Sequence, residues 1–237
     1  MKPISFNSYF NLGLILILLI ACFHAGAQTI RIANNNPGAT PGTNVYTGTS
    51  ALQNAVTASV SGDIIHIIPS STSYGNTTVL NKSLTLLGIG LNPQKDIGQR
   101  SIVGDITLNG ATSSGSRISG LHFNRLLLAN ISSPVHTVSN ILCENSQFDI
   151  MIGPGFTTNA IANIVVRNCV IHGGNNTGEP QAFELYTNSG VVITNNIIKG
   201  HCCSAGSISG DGLTIQNNFF YYGGTGSVFQ DLDNSLV

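Results

Sequence analysis

The chain has 237 residues, 42% of them hydrophobic and only 8% charged, with 9 Lys+Arg against 10 Asp+Glu and a formal net charge of −1. That is enough apolar mass for a full core, and it is too hydrophobic and too weakly charged for a disordered chain. So few basic residues leave no electrostatic footprint for nucleic acid or for an anionic membrane surface.

Lys2 is followed by an apolar run over residues 12–22 and then by Ala25-Gly26-Ala27 ahead of Gln28. A charged start, an apolar centre and a small-x-small site make a secretory signal peptide cleaved after Ala27. The run falls short of the roughly 20 apolar residues that span a bilayer. No other stretch approaches that length, so the mature chain is expected to lack a transmembrane segment and to be secreted or held at the cell surface. A second reading takes Leu19-Ile20-Ala21-Cys22 as a lipobox and Cys22 as a lipidated N-terminus.

Cleavage leaves Cys143, Cys169, Cys202 and Cys203, which allow three pairings or can stay as buried thiols. His201 beside Cys202-Cys203 lacks the C-x2-C spacing of a zinc site.

After a polar stretch over residues 28–49, Leu52, Ala55, Val56 and Val60 share one helical face. Ser50 and Gln53 read as a capping box and Gly62 as a left-handed C-cap, so a cap helix is expected over 50–61. Strand-like runs follow at 63–69, 84–88 and 102–108, opening a domain of coils expected to fill 62–237.

The chain then repeats. Ile118 to Phe123, Cys143 to Phe148, Val166 to Ile171, Ile193 to Ile198 and Ile215 to Phe220 align without gaps as apolar, x, Asn or Gly, x, x, apolar. Their third positions, Gly120, Asn145, Asn168, Asn195 and Asn217, recur at intervals of 25, 23, 27 and 22 residues. A period in the twenties with short strands and no helical pattern between them predicts a parallel β-helix, one coil per repeat. Stacking would turn Asn145, Asn168, Asn195 and Asn217 into an asparagine ladder at an inward turn. Residues 118, 143, 166, 193 and 215 would form one apolar column, and residues 123, 148, 171, 198 and 220 another.

With the helix at 50–61, the Gly62-Asp63-Ile64-Ile65 strand, the Lys82 to Gly88 segment and the Asn-centred repeat, the chain resembles the pectin lyase-like proteins. The resemblance implies an all-β fold, a right-handed parallel β-helix (solenoid) with a short N-terminal amphipathic capping helix. That superfamily holds lyases, hydrolases, adhesins and non-catalytic surface proteins, so the fold does not choose a function. The N-T-D, D-D, G-H-G and R-I-K motifs of polygalacturonase-like members are missing, Gly200-His201-Cys202 being the nearest echo.

Pectate lyase-like members hold Ca²⁺ with acidic side chains and use an Arg or Lys to remove a proton beside the uronate carboxylate. One outward row meets that description in part: Asn124, Asp149, His172, Lys199 and Tyr221, spaced about 5 Å apart on one face. The segments at 173–189 and 200–210 add Glu179, Glu184, Tyr186 and His201. In this reading Lys199 and His172 are the candidate catalytic groups, and Asn124, Asp149, Tyr221 and Tyr186 contact substrate. Asp149, Glu179 and Glu184 are the candidate Ca²⁺ ligands.

The neighbouring row, Ser119, Glu144, Arg167, Thr194 and Gln216, is expected to be ordinary surface with a Glu144–Arg167 ion pair worth about 0–1 kcal/mol. His66, His122 and His136 have no partner motif and no assigned role. The repeat still runs near Val237, from which a longer natural protein is expected.

Two function classes stand. The sparse acidic inventory favours an exported carbohydrate-contacting or structural protein without a catalytic motif, its partner a polysaccharide or cell-surface glycan; no cofactor is indicated except Ca²⁺ in the case of a lyase. The alternative is a Ca²⁺-dependent polysaccharide lyase.

Overall fold

A computed structural model describes residues 28–91, 99–128, 138–153, 161–173, 182–200, 206–222 and 229–230. The signal-peptide and lipobox expectations, Glu179, His136, the His201-Cys202-Cys203 cluster and the last seven residues fall outside them.

The strands are short and pair in parallel with the strand one circuit later, which builds three long stacks. The first runs through Ile30–Asn34, Ile64–Ile67, Thr85–Leu87, Arg117–Ser119, Ser139–Glu144, Ile161–Arg167, Val192–Thr194 and Thr214–Gln216. The second starts at Ile102 and joins the opening residues of His122–Leu128 and Gln147–Ile152 to Val170–Ile171, Ile197–Gly200 and Phe219–Tyr222. The third links Thr77–Leu80 and Ile106–Asn109 to the far ends of those two longer strands, then to Phe183–Ser189, Gly206–Asp211 and Phe229–Gln230. This β-rich, parallel arrangement is compatible with a parallel β-helix. The polar stretch at 28–49 contributes Ile30–Asn34 and Val45–Thr47 to the same sheet.

Period-two alternation in each strand sends one apolar side chain inward per pleat. Ile65, Leu86, Ile118, Cys143, Val166, Ile193 and Ile215 are thereby stacked in register and buried. Phe123, Phe148, Ile171 and Ile198 form a second buried column, continued by partly buried Phe220. Within it the Phe123 and Phe148 rings are stacked, their centroids 5.0 Å apart.

The helix spans Ala51–Ala58 and buries Ala51, Leu52, Ala55 and Val56. Both of its ends differ from the expectation. Ser50 makes no side-chain cap bond. Gln53 turns away to clamp the backbone of Thr78, its Oε1 accepting from Thr78 N at 2.9 Å and its Nε2 donating to Thr78 O at 3.3 Å. Val60 lies beyond the helix and is 62% exposed. Gly62 has φ 94° but comes after the Ser59 cap, and the terminal carbonyls are met instead by the Lys82 ammonium.

The asparagine ladder sits one residue later than expected. Asn145, Asn168, Asn195 and Asn217 all have φ between 51° and 57°, and all are exposed. Asn is among the few L-residues that tolerate this left-handed conformation. There it turns the chain at the corner between the first and second stacks, throwing its own side chain outward and the next one inward. The inward positions are Ser146, Cys169, Asn196 and Asn218, and the bonds run there. Asn196 Oδ1 accepts from Cys169 N at 2.8 Å, and Asn218 Oδ1 accepts from Asn196 N and Nδ2, both at 2.9 Å. Asn196 Nδ2 also donates to Val166 O at 3.1 Å, and Asn218 Nδ2 to Ile193 O at 2.7 Å.

The row expected as plain surface is also corrected, because Ser119 and Glu144 are buried. Glu144 is gripped from both sides. Arg167 donates Nε at 2.8 Å and Nη2 at 2.6 Å to Oε2, while Arg117 donates Nε at 2.8 Å and Nη2 to Oε1. Burial by itself would push this carboxyl up. The hydrogen bonds and charges of Arg167 and Arg117 outweigh that and hold it below the usual carboxylate range.

Candidate functional site: the outer face of the second stack

The register places the candidate row on one face. Phe123, Phe148, Ile171 and Ile198 are paired neighbours, and each is followed by its row member; Lys199 pairs directly with Tyr221. Asn124, Asp149, His172, Lys199 and Tyr221 thus occupy five successive circuits, about 4.8 Å apart. Asn124, Lys199 and Tyr221 are exposed, and Asp149 and His172 are half-buried.

Pleating gives the same face a second outward column, just before the buried one: His122, Gln147, Val170, Ile197 and Phe219. Its polar end was not singled out in the sequence. Arg100 Nη1 donates to Gln147 Oε1 at 3.3 Å and stands 3.5 Å from His122 Nδ1. Gln147 Nε2 lies 3.0 Å from His172 Nε2. Gln147 thus bridges Arg100 on one side and His172 on the other. The only hint in the sequence was that Gln147 and His122 immediately precede buried phenylalanines; Arg100 arrives through an antiparallel bridge with Ser70 that no pattern announces.

The apolar end of the column is unusual for a solvent face. Ile197 is 50% exposed and Phe219 63%, and Tyr221, two residues along the same strand, is 60% exposed. Phe219 and Tyr221 flank the inward Phe220, so both rings stand on the outer face. Lys199 lies beside Tyr221 and Ile197 beside Phe219. The result is an aromatic and aliphatic platform with an ammonium on its border, and the His172–Gln147–Arg100 chain begins on the circuit next to Lys199.

Of the candidate Ca²⁺ ligands, Glu179 lies outside the described residues, and Asp149 and Glu184 are not gathered in this way. Glu184 pairs in register with Ile152, three residues beyond Asp149 around the circuit, and belongs to the third stack. Tyr186 lies in that strand, and its side chain is outside the described set. Among the described residues no group of three His, Cys, Asp or Glu side chains could hold a metal ion. Asp149 and Glu184 thus lie on different stacks.

Cys143 and Cys169 are buried free thiols on adjacent circuits, with Cys169 Sγ 3.7 Å from Cys143 O. Hydrogen bonding to Cys169, and then burial, push the Cys143 thiol well above its ordinary value, so it is an inert core group. Among the described residues no helix is long and apolar enough to cross a membrane.

Compared with known proteins, the chain matches no family model, no curated protein and no solved structure.

Proposed function

We propose that this chain is an exported right-handed parallel β-helix protein of the pectin lyase-like type that contacts carbohydrate through the outer face of its second stack, as a secreted or cell-surface protein. The apolar leader with its Ala-Gly-Ala site supports export. The parallel stacks, the left-handed Asn corners and the helix packed ahead of them support the architecture.

The observation that carries the carbohydrate reading is the exposed pair Phe219 and Tyr221 on one rigid strand with Lys199 alongside. Pyranose rings offer apolar C–H faces and polar edges, so they suit a platform of aromatic rings bordered by hydrogen-bonding side chains. Exposed apolar patches of this kind mark interaction surfaces.

The test is affinity electrophoresis and calorimetry of the mature protein against neutral and acidic polysaccharides. Binding that falls about tenfold or more in Phe219→Ala or Tyr221→Ala, with the circular dichroism spectrum unchanged, supports the reading. Folded protein that retains no glycan overturns it. The lyase alternative has one specific feature behind it, the common face of Asp149, His172 and Lys199. It requires chelator-sensitive ultraviolet absorbance from unsaturated uronate that disappears in Lys199→Ala.

A further inference from the structure

A shallow cavity of about 510 Å³ runs along the corner between the first and second stacks. Its floor is Gly120, Asn145, Asn168 and Asn195, one residue from each of four successive circuits. It therefore points along the stacking axis rather than across the strands. The three floor asparagines are exposed, and among the described residues their side-chain amides make no hydrogen bond, the ladder bonds being made one position further in, by Asn196 and Asn218. Val170 and Ile197 form an apolar rail on the second-stack side, and the exposed Phe219 continues their column beyond the cavity. Residues 87–91 close the other end, clamped onto the floor by Gly88 N to Ser119 O at 2.8 Å and Gly90 N to Gly120 O at 3.1 Å.

Two properties of this groove select an occupant. Its amides repeat once per circuit, about 4.8 Å, whereas an extended peptide presents same-side groups only about every 6.8 Å. A pyranose unit along a glycan chain has a length near the circuit spacing. In addition, among the described residues the lining holds no carboxylate, ammonium, guanidinium or imidazole, and its one ionisable side chain is the buried Cys169 thiol. None of these described residues compensates a charge on the ligand.

We infer that an uncharged glycan chain lies lengthwise in this corner, about one sugar unit per circuit, with its hydroxyl edge on the Asn145, Asn168 and Asn195 amides and its C–H face on Val170 and Ile197. This rests on the carbohydrate reading above and deepens it by naming the ligand class and the direction of binding. It also separates the corner from the row that carries Lys199, whose ammonium suits an acidic polymer.

The test uses the mature protein with neutral oligosaccharides of two to six units (cello-, xylo-, manno- and laminari-oligosaccharides) and with oligogalacturonates as the charged control. The variant is Asn168→Gly/Asn195→Gly, which deletes two floor amides and leaves a residue well suited to left-handed backbone. Neutral binding is expected to strengthen up to about four units, to be insensitive to salt, and to fall at least tenfold in the double variant while the melting temperature is held or raised. Binding of glycans that is unchanged in the double variant but lost in Tyr221→Ala overturns the corner site and leaves the carbohydrate reading standing. Binding confined to oligogalacturonates does the same. Failure of every oligosaccharide and polysaccharide to bind the folded protein overturns both.

Discussion

Lys82 Nζ donates to the carbonyl of Ser59 at 2.9 Å, closing the C-terminus of a helix that lies more than twenty residues earlier in the chain. The same ammonium reaches Thr57 O at 3.3 Å and Val56 O at 3.1 Å, the latter also bonded by Ser59 N, so one side chain gathers the carbonyls of the last turn. It also places a positive charge at the negative end of the helix dipole. Lys82→Met is expected to lower stability by about 1–2 kcal/mol in urea unfolding, since three charge-assisted hydrogen bonds to the last turn of the helix are lost. Lys82→Arg should recover part of that loss.

Glu144 makes a pH prediction with a definite sign. Its folded carboxyl is held below its ordinary value of 4.5 by Arg167 and Arg117 against the opposing effect of burial, and Asp63 is likewise lowered, by Val60 N, Thr29 N and Arg31 against its own burial. A depressed carboxyl contributes stability that is fully present above its unfolded value and is lost as pH falls through the folded value. The melting temperature should therefore be flat above about pH 5 and fall steeply below pH 4. Glu144→Gln is expected to cost about 1–3 kcal/mol at pH 7, because two guanidinium groups lose their charged partner, and to shallow the acid slope.

Two adjacent asparagines have opposite roles, and substitution separates them. Asn195 is exposed at φ 57°, so Asn195→Gly should be neutral or slightly stabilising, while Asn195→Val should cost about 1–2 kcal/mol of backbone strain. Asn196 is buried and bonded to Cys169 N, Val166 O and Asn218. Asn196→Leu should cost about 2–3 kcal/mol by stranding those partners. Thermal melts of the three variants check the contrast; equal losses at both positions would refute it.

Gly88 is required by close approach. A Cβ there would sit 2.2 Å from Gly120 O, a backbone atom that cannot swing aside. Gly88→Ala is expected to destabilise by about 1–3 kcal/mol through displacement of residues 87–91. Increased proteolysis in that segment and a lower melting temperature would report it.

The corner conformation was legible in the sequence because it is local. An Asn or Gly every 22 to 27 residues marks a left-handed turn, and turns at that interval set the length of a circuit and the register of both apolar columns. The second-stack row followed from the same count, one residue beyond each inward apolar position. Even the exception has a cause: Gly120 stands where the other repeats have Asn because its Cβ would lie 2.6 Å from Gly90 N.

What the repeat could not assign was which side chain faces inward at the corner. Asn145 to Asn217 and Ser146 to Asn218 are both polar columns with the same period, and only the backbone turn decides which is buried. Contacts between circuits were equally hidden. Lys82 at the helix end, Gln53 on Thr78, and Arg117 joining Arg167 on Glu144 are polar side chains whose partners lie 23 to 27 residues away. Backbone periodicity is written in each repeat alone and is determined by the sequence; long polar side chains can reach several neighbours, and only the stacked tertiary structure selects among them.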